Sequence, residues 1–257
     1  MSLASVKSAA RAIEVLEYFS TVRQPCSLKA LCENLNYPQS STTGLLKTLT
    51  AKGYLNYDRK ARVYFPTLRV AALGEWVPQA LFGNGRALEA MRDVHSATGE
   101  SVSIAVKNDI FFQYIKSLPS AHALKFDVPE GEQRLLTQSA MGWLLLTSVK
   151  GEALDTLIRR VNIAARKEEA VSIPVMIERV NEARRQGYAI AENIPFQGGG
   201  TICVPLPVTI QGQPAVIGLG GWLERIQANR ARYLSVLKRC VRDMQAEPTI
   251  FVAPPEA

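Results

Sequence analysis

Gln39, Ser40, Ser41, Thr43 and Lys47 stand on one stretch of chain, with Thr42, Leu45, Leu46 and Leu49 interleaved at the spacing of a helix that buries one side. Short amide and hydroxyl side chains at the start of a helix can hydrogen-bond to base edges in the major groove of DNA. A lysine one or two turns later can meet a backbone phosphate, which separates readout from positioning. An ordinary solvated helix face would use the same residue types, so the neighbouring chain has to decide between the two.

Residues 54–57 and 63–65 read as two strands joined through Asp58-Arg59-Lys60-Ala61-Arg62. Cations at Arg59, Lys60 and Arg62 on a short ribbon can hold phosphates or enter a flanking minor groove, although a hairpin tip is often charged merely because it is solvated. Charge is concentrated at this end. Residues 1–70 carry ten Lys and Arg against four Asp and Glu, +6 of the net +7 of the chain. Neutralising phosphates with such a surface releases condensed counterions and gives affinity for nucleic acid.

The chain offers little for catalysis. Its histidines are His95, which shares a helical side with Leu88 and Met91, and His122, beside an expected strand, and neither has a nucleophile or acid at a usable spacing. Cys26, Cys32, Cys203 and Cys240 show no metal-site pairing, so reduced thiols and no metal are expected. Gly198-Gly199-Gly200 resembles a flexible loop rather than a phosphate cradle, and no cofactor is expected. No segment approaches the ~20 apolar residues of a membrane span, which points to the cytoplasm and away from a membrane partner.

The elements that must position the basic face follow from periodicity. A first helix over residues 6–19 places Ala9, Ala12, Ile13, Leu16 and Phe19 inward. After Gln24-Pro25, Ser27 caps a short second helix with Leu28, Leu31 and Cys32 facing inward and Leu35 in the turn. Pro38 suits the first turn of the third helix, and Gly53 ends it. Helix, tight turn, helix and basic ribbon in this order spell a winged helix-turn-helix. Beyond it, residues 68–82 read as helical with Leu68, Ala72 and Val77 on an apolar face, and Trp76 reads as core more readily than as interface. Phe82-Gly83-Asn84-Gly85 interrupts that helix before another running to about Thr98. From Gly99 the period switches to two. Strands are expected over residues 101–106, 110–115 and 123–128, with a hairpin turn at Lys107-Asn108-Asp109. Helices follow over 138–149, 151–161 and 174–186, then strands at Tyr188, Thr201 and Ala215 and a last helix over 228–244. Helices around an antiparallel sheet without βαβ alternation make an α+β fold.

The sequence resembles the isocitrate-lyase-regulator (IclR) family of bacterial transcription factors over almost its whole length. The resemblance rests on residues 8–16, on Ser40-Ser41-Thr42 with Leu45-Leu46, on Lys52-Gly53-Tyr54-Leu55, on Thr98-Gly99-Glu100-Ser101-Val102, on Ala140-Met141-Gly142, on residues 184–188, and on Gly200 with Cys203 and Pro207. Where the family's recognition helix often carries His-Arg, this chain has Thr43-Gly44, so its base contacts are its own.

The resemblance implies a DNA-binding head over residues 1–67, linker helices over 68–98 that pair two subunits, and an effector-binding domain over 99–257. It also implies a dimer of dimers on double-stranded operator DNA; one winged head covers little DNA, so at least a homodimer is expected, and the expected effector is a small organic molecule, aromatic or carboxylic. Matched residue by residue, the effector pocket would be lined by Phe126, Ala140, Met141, Glu192 or Asn193, Thr201, Cys203, Gly218 and Gly220. Cys203 by itself reads more readily as a small buried apolar residue. Gly218 and Gly220 stand where the family often has hydroxyls, an expected loss of donors and gain of volume, and the effector is expected between this strand and the glycine-rich loop over residues 193–201.

Overall fold

The first helix, α1 (Lys7–Val22), buries Val15 and Phe19 and half-buries Ala12, Leu16 and Val22 in a computed structural model that describes residues 6–83 and 85–246. The stripe expected from the sequence is therefore turned. Ile13 is 58% exposed because it lies two residues from Val15, about 200° round the helix, and Ala9 shares its outward side.

Strand β1 (Cys26–Ser27) leads into α2 (Leu28–Leu35), where Ser27 Oγ accepts from the Ala30 amide at 3.2 Å as an N-cap. Helix α3 (Gln39–Ala51) begins one residue after Pro38, which serves as the N-cap residue rather than as first-turn residue; its carbonyl accepts from the Thr42 amide and hydroxyl. Gly53, at φ +79°, lets the chain leave α3 toward β2 (Leu55–Asp58) and β3 (Val63–Pro66). The ribbon has a third strand the sequence did not announce: β1 pairs with β3, giving the order β1-β3-β2. Val15, Phe19, Leu31, Leu46, Leu49 and Leu55 close the core beneath it.

The expected helix over 68–82 is two short ones, α4 (Leu68–Ala72) and α5 (Val77–Phe82). Gly74 weakens the helix between them, and Pro78 fits only the first turn of a new one. Leu68, Leu73 and Trp76 are 88%, 55% and 64% exposed, so the apolar face is not core and Trp76 is a surface residue whose indole N–H donates to the Leu73 carbonyl. The contacts of the chain divide between Pro78 and Gln79 into two units. Asn84, part of the expected break, lies outside the described residues.

In the second unit α6 (Arg86–Thr98) precedes β4 (Ser101–Asn108) and β5 (Phe111–Leu118), joined by a turn in which Asp109 takes φ +53°. No strand forms over 123–128. The free edge of β5 is taken instead by β6 (Gln133–Leu135), and residues 119–131 form a loop tied down by Ser120 and Ala121. A single 3₁₀ turn (Leu136–Gln138) and α7 (Ala140–Leu146) follow, the latter wholly buried and capped by Ser139. Then come α8 (Gly151–Ala164), α9 (Ile173–Gln186), β7 (Ala189–Glu192), β8 (Gly199–Ile210) and β9 (Gln213–Trp222). The last expected helix is α11 (Arg230–Ala246), and a short helix that the sequence reading did not include, α10 (Leu223–Ala228), precedes it across Asn229.

The six strands make one antiparallel sheet in the order β6-β5-β4-β9-β8-β7. Alternation along β4 sends Val102 and Ile104 to one face, packed against α6, α10 and α11 with Ile202, Ile217 and Leu219. The other face is packed by α7, α8 and α9 over Ala105, Phe112, Cys203 and Val216. That second layer covers only part of the face. At the Ser101 end the sheet presents hydroxyls and glycines instead of aliphatic side chains.

Candidate DNA-contact face and effector cavity

In the first unit, α3 presents Gln39, Ser40, Ser41, Gly44 and Lys47 as exposed residues, with Thr43 half-buried. Two of the hydroxyls already have partners. Thr43 Oγ donates to the Gln39 carbonyl at 2.8 Å, and Ser41 Oγ donates to the Pro38 carbonyl at 3.0 Å while accepting from Arg11 Nη1 at 3.1 Å. The readout role expected of Thr43 and Ser41 is thereby limited to their acceptor lone pairs, while Gln39 and Ser40 keep their side-chain polar groups for an outside partner. Arg11, also over the Tyr37 ring at 4.7 Å, joins this face from α1, a proximity that no local pattern in the sequence could signal.

The ribbon tip is built by Asp58, whose Oδ1 accepts from the Lys60 and Ala61 amides at 2.8 and 3.0 Å. This holds Arg59, Lys60 and Arg62 exposed on the short connection between β2 and β3, with Arg62 in the left-handed region at φ +55°. The structure thus gathers the expected cations on one hairpin.

In the second unit a cavity of about 50 Å³ lies on the hydroxyl-and-glycine part of the sheet. Of the residues expected to line it, Phe126, Met141, Thr201, Gly218 and Gly220 do. Ala140 and Cys203 are fully buried behind the wall, the thiol donating to the Ala189 carbonyl at 3.6 Å, and burial pushes it far above the ordinary thiol range, which keeps it protonated and inert. Glu192 is exposed and accepts from Gln227 Nε2 at 2.9 Å. Asn193 is a loop builder: at φ +57° it takes the Gly198 amide on Oδ1 at 2.8 Å, shaping residues 193–199.

Gly218 does not open volume. A Cβ there would lie 2.7 Å from Met141 Cε and from Cys203 Cβ, so neighbouring side chains already occupy the space. Gly220 does: a Cβ would meet nothing closer than Ser101 Oγ at 3.6 Å. Hydroxyls stand one strand over instead, because Ser101 pairs with Gly220 and Ser103 with Gly218, and both are engaged within the protein. Ser101 Oγ donates to the Gly220 carbonyl at 2.6 Å, and Ser103 and Ser117 hydroxyls lie 3.0 Å apart.

The 193–201 segment was expected over the cavity and Phe126 in its lining, while the fold of the 119–131 loop and the part played by Tyr114 were not. Residues 119–131 contribute Phe126 and Val128, residues 193–199 contribute Ile194, Pro195 and Phe196, and Tyr114 comes from β5. Phe126 stacks on Phe196 at 5.5 Å and on Trp222 at 6.1 Å, both nearly parallel. The Tyr114 phenol is pushed up to about 12 by burial, so it stays a neutral donor at physiological pH. A further signal was the Ser-Val-Ser-Ile alternation of β4, which places hydroxyls where a core-facing strand would carry aliphatic residues.

Both histidines have structural partners: His95 Nε2 lies 2.9 Å from the Pro119 carbonyl, and His122 Nε2 lies 3.4 Å from the Thr98 carbonyl and 3.8 Å from Glu100 Oε1. His122, which had no partner by spacing, owes these contacts to the 119–131 loop folding back on β4. Among the described residues no helix is long and apolar enough to cross a membrane.

A helix-turn-helix with a basic ribbon, in one chain with an α+β unit, is the architecture of a DNA-binding transcriptional regulator. The chain belongs to the IclR family: the family's helix-turn-helix domain matches residues 8–59 and the bacterial transcriptional regulator IclR C-terminal domain matches residues 85–246. It is similar to the transcriptional repressor AllR of Escherichia coli strain K12, with 24% identity over 233 residues, 86% of this chain and 82% of AllR. Among solved structures it resembles the effector domain of a transcriptional regulator IclR from Acinetobacter sp. ADP1, 47% identical with a TM-score of 0.63, over 66% of this chain and 99% of that one. The fold of the IclR of Thermotoga maritima matches over 93% of this chain and 98% of that one, at 19% identity and a TM-score of 0.75.

Proposed function

We infer that this regulator is a sequence-specific repressor or activator whose hold on operator DNA is set by a small organic effector, an aromatic or carboxylic metabolite. The observation that carries the reading is the cavity between the sheet and the loops 119–131 and 193–199, walled by aromatic rings and floored by hydroxyls and Gly220. In this reading residues 1–67 are the DNA head, 68–98 the linker and 99–257 the effector domain of a cytoplasmic protein. Gln39, Ser40 and Thr43 read bases, Ser41 orients Arg11, and Lys47, Arg59, Lys60 and Arg62 hold phosphates.

One winged head covers little DNA, so a homodimer, or a dimer of dimers, reads a near-palindromic site. The exposed Leu68, Leu73 and Trp76 support pairing through the linker helices. Sedimentation showing a monomer both with and without operator would reject the pairing.

An effector acts only if it prefers one arrangement of the paired heads; a tenfold preference corresponds to ~1.4 kcal/mol and changes operator affinity reciprocally. The test is to identify by mass spectrometry a ligand carried through purification and titrate it against operator binding by fluorescence anisotropy. A ligand that binds the protein while leaving operator affinity unchanged at saturation overturns the reading.

A further inference from the structure

Helix α11 carries two apolar stripes. On the first, Tyr233, Val236, Leu237, Cys240 and Met244 are buried against the sheet and α6. On the second, at the same three- and four-residue spacing, Leu234, Lys238, Val241 and Arg242 face an open groove of about 590 Å³ whose far wall includes Val204 and Pro205 of β8. The strand order explains the opening. β7 pairs with β8 only as far as Cys203, so from Val204 onward that edge of the sheet has no strand beside it among the described residues. Leu234 and Val241 are therefore left half-buried at the floor, with Lys238 and Arg242 exposed along the rim. Lys238 Nζ rests 4.6 Å from the centroid of the Tyr188 ring, and among the described residues no acid lines the groove and neither cation has an acidic partner. An apolar trough of this size with an uncompensated basic rim is matched by a cover that is itself apolar and acidic.

We propose that residues 247–257, which follow α11 and lie outside the described part of the chain, fold back along the helix and occupy this groove in cis. Their composition fits it: Ile250-Phe251-Val252 stand between Glu247 and Glu256 with no Lys or Arg, and Pro248 cannot continue the helix. The reach is sufficient. Val241 and Leu234 precede Ala246 by five and twelve residues, ~8 and ~18 Å at 1.5 Å per helical residue, and four to six extended residues span ~13–20 Å. Attachment to the end of α11 gives the segment a high effective concentration at the groove, so contacts that would be weak between separate molecules suffice. A second copy is the poorer occupant, because isologous packing along α11 sets Lys238 and Arg242 against their own kind.

The test is photo-cross-linking of the full chain carrying Phe251→p-benzoylphenylalanine, run on an equal mixture of isotopically light and heavy protein and mapped by mass spectrometry. The cross-links are expected on residues 204–205 and 231–242, joining light chain to light and heavy to heavy. Lys238→Glu combined with Arg242→Glu should lower their yield by at least roughly threefold. Adding Glu247→Lys and Glu256→Lys to that variant should restore the yield, a rescue that a folding defect would not show. Cross-links confined to other parts of the chain, or a yield indifferent to the charge reversal, overturn the assignment. Cross-links in the groove that join light to heavy chains overturn docking in cis and make a second copy the occupant.

Discussion

Glu100, fully buried at the start of β4, is gripped in a two-pronged ion pair by Arg225 of α10, with Nη2 donating to Oε2 at 2.8 Å and Nε to Oε1. The Tyr233 hydroxyl donates to Oε1 at 3.2 Å, and the same guanidinium donates to the Leu124 carbonyl at 3.1 Å. The carboxylate thereby joins α10, α11 and the 119–131 loop. The hydrogen bond to Glu100 raises the Arg225 pKa above its ordinary value, and burial raises that of Tyr233. Removing the cation leaves a buried charge uncompensated, a loss of ~3–5 kcal/mol in comparable sites. Arg225→Ala should therefore lower the stability of the second unit far more than Arg159→Ala, which removes an exposed i,i+4 pair with Asp155. Denaturant unfolding of both variants checks this; equal losses would sink it.

The two glycines facing Ser103 and Ser101 should respond oppositely to added volume. Gly218→Ala forces a Cβ to within 2.7 Å of Met141 and Cys203 and 2.9 Å of the Ile202 carbonyl, and overpacking of this kind costs ~1–3 kcal/mol. Gly220→Leu should leave stability and effector-free DNA binding near wild type while abolishing the effector's influence on operator affinity. Thermal melts and operator titrations separate the two; a Gly220→Leu protein that is folded and fully responsive would place the sensing cavity elsewhere.

On the DNA face, Lys47→Ala and Arg62→Ala should weaken binding to every sequence and reduce the salt slope by about one each, as expected for single phosphate contacts. Gln39→Ala should cost ~1–3 kcal/mol on operator and little on random DNA, since a base contact is lost only where its base is present. Salt titrations on both DNAs decide: an unchanged slope for a cation variant removes that residue from the phosphate surface, and equal losses for Gln39→Ala contradict readout.

Alkaline pH should expose the role of burial at Tyr114. Its folded pKa of about 12 lies above the ordinary value near 10, so the contribution is complete below about pH 10 and is lost as pH rises through 12. Two units correspond to ~2.7 kcal/mol at most. Tyr114→Phe should flatten the decline in unfolding free energy over that window relative to wild type. Identical profiles would mean that the phenol does not carry the effect.

The sequence by itself determined the winged head and the α+β class, because both are written in local terms. The 3.6-residue spacing of Leu28, Leu31, Leu46 and Leu49, the Ser27 cap and the Gly53 stop each act within a few residues, and the clustered cations of the ribbon need only a hairpin to come together. What the pattern could not carry was long-range pairing. Strand β1 found β3 across 35 intervening residues, and β6 rather than residues 123–128 took the edge of β5. The cavity is the clearest case. Its floor sets Ser101 opposite Gly220 and Ser103 opposite Gly218, positions more than a hundred residues apart, so where hydroxyls stand and where volume opens was fixed by strand register. Phe126 and Phe196 reach the same place from loops that no periodicity describes, because their positions are set by the packing of the sheet and not by their neighbours in sequence.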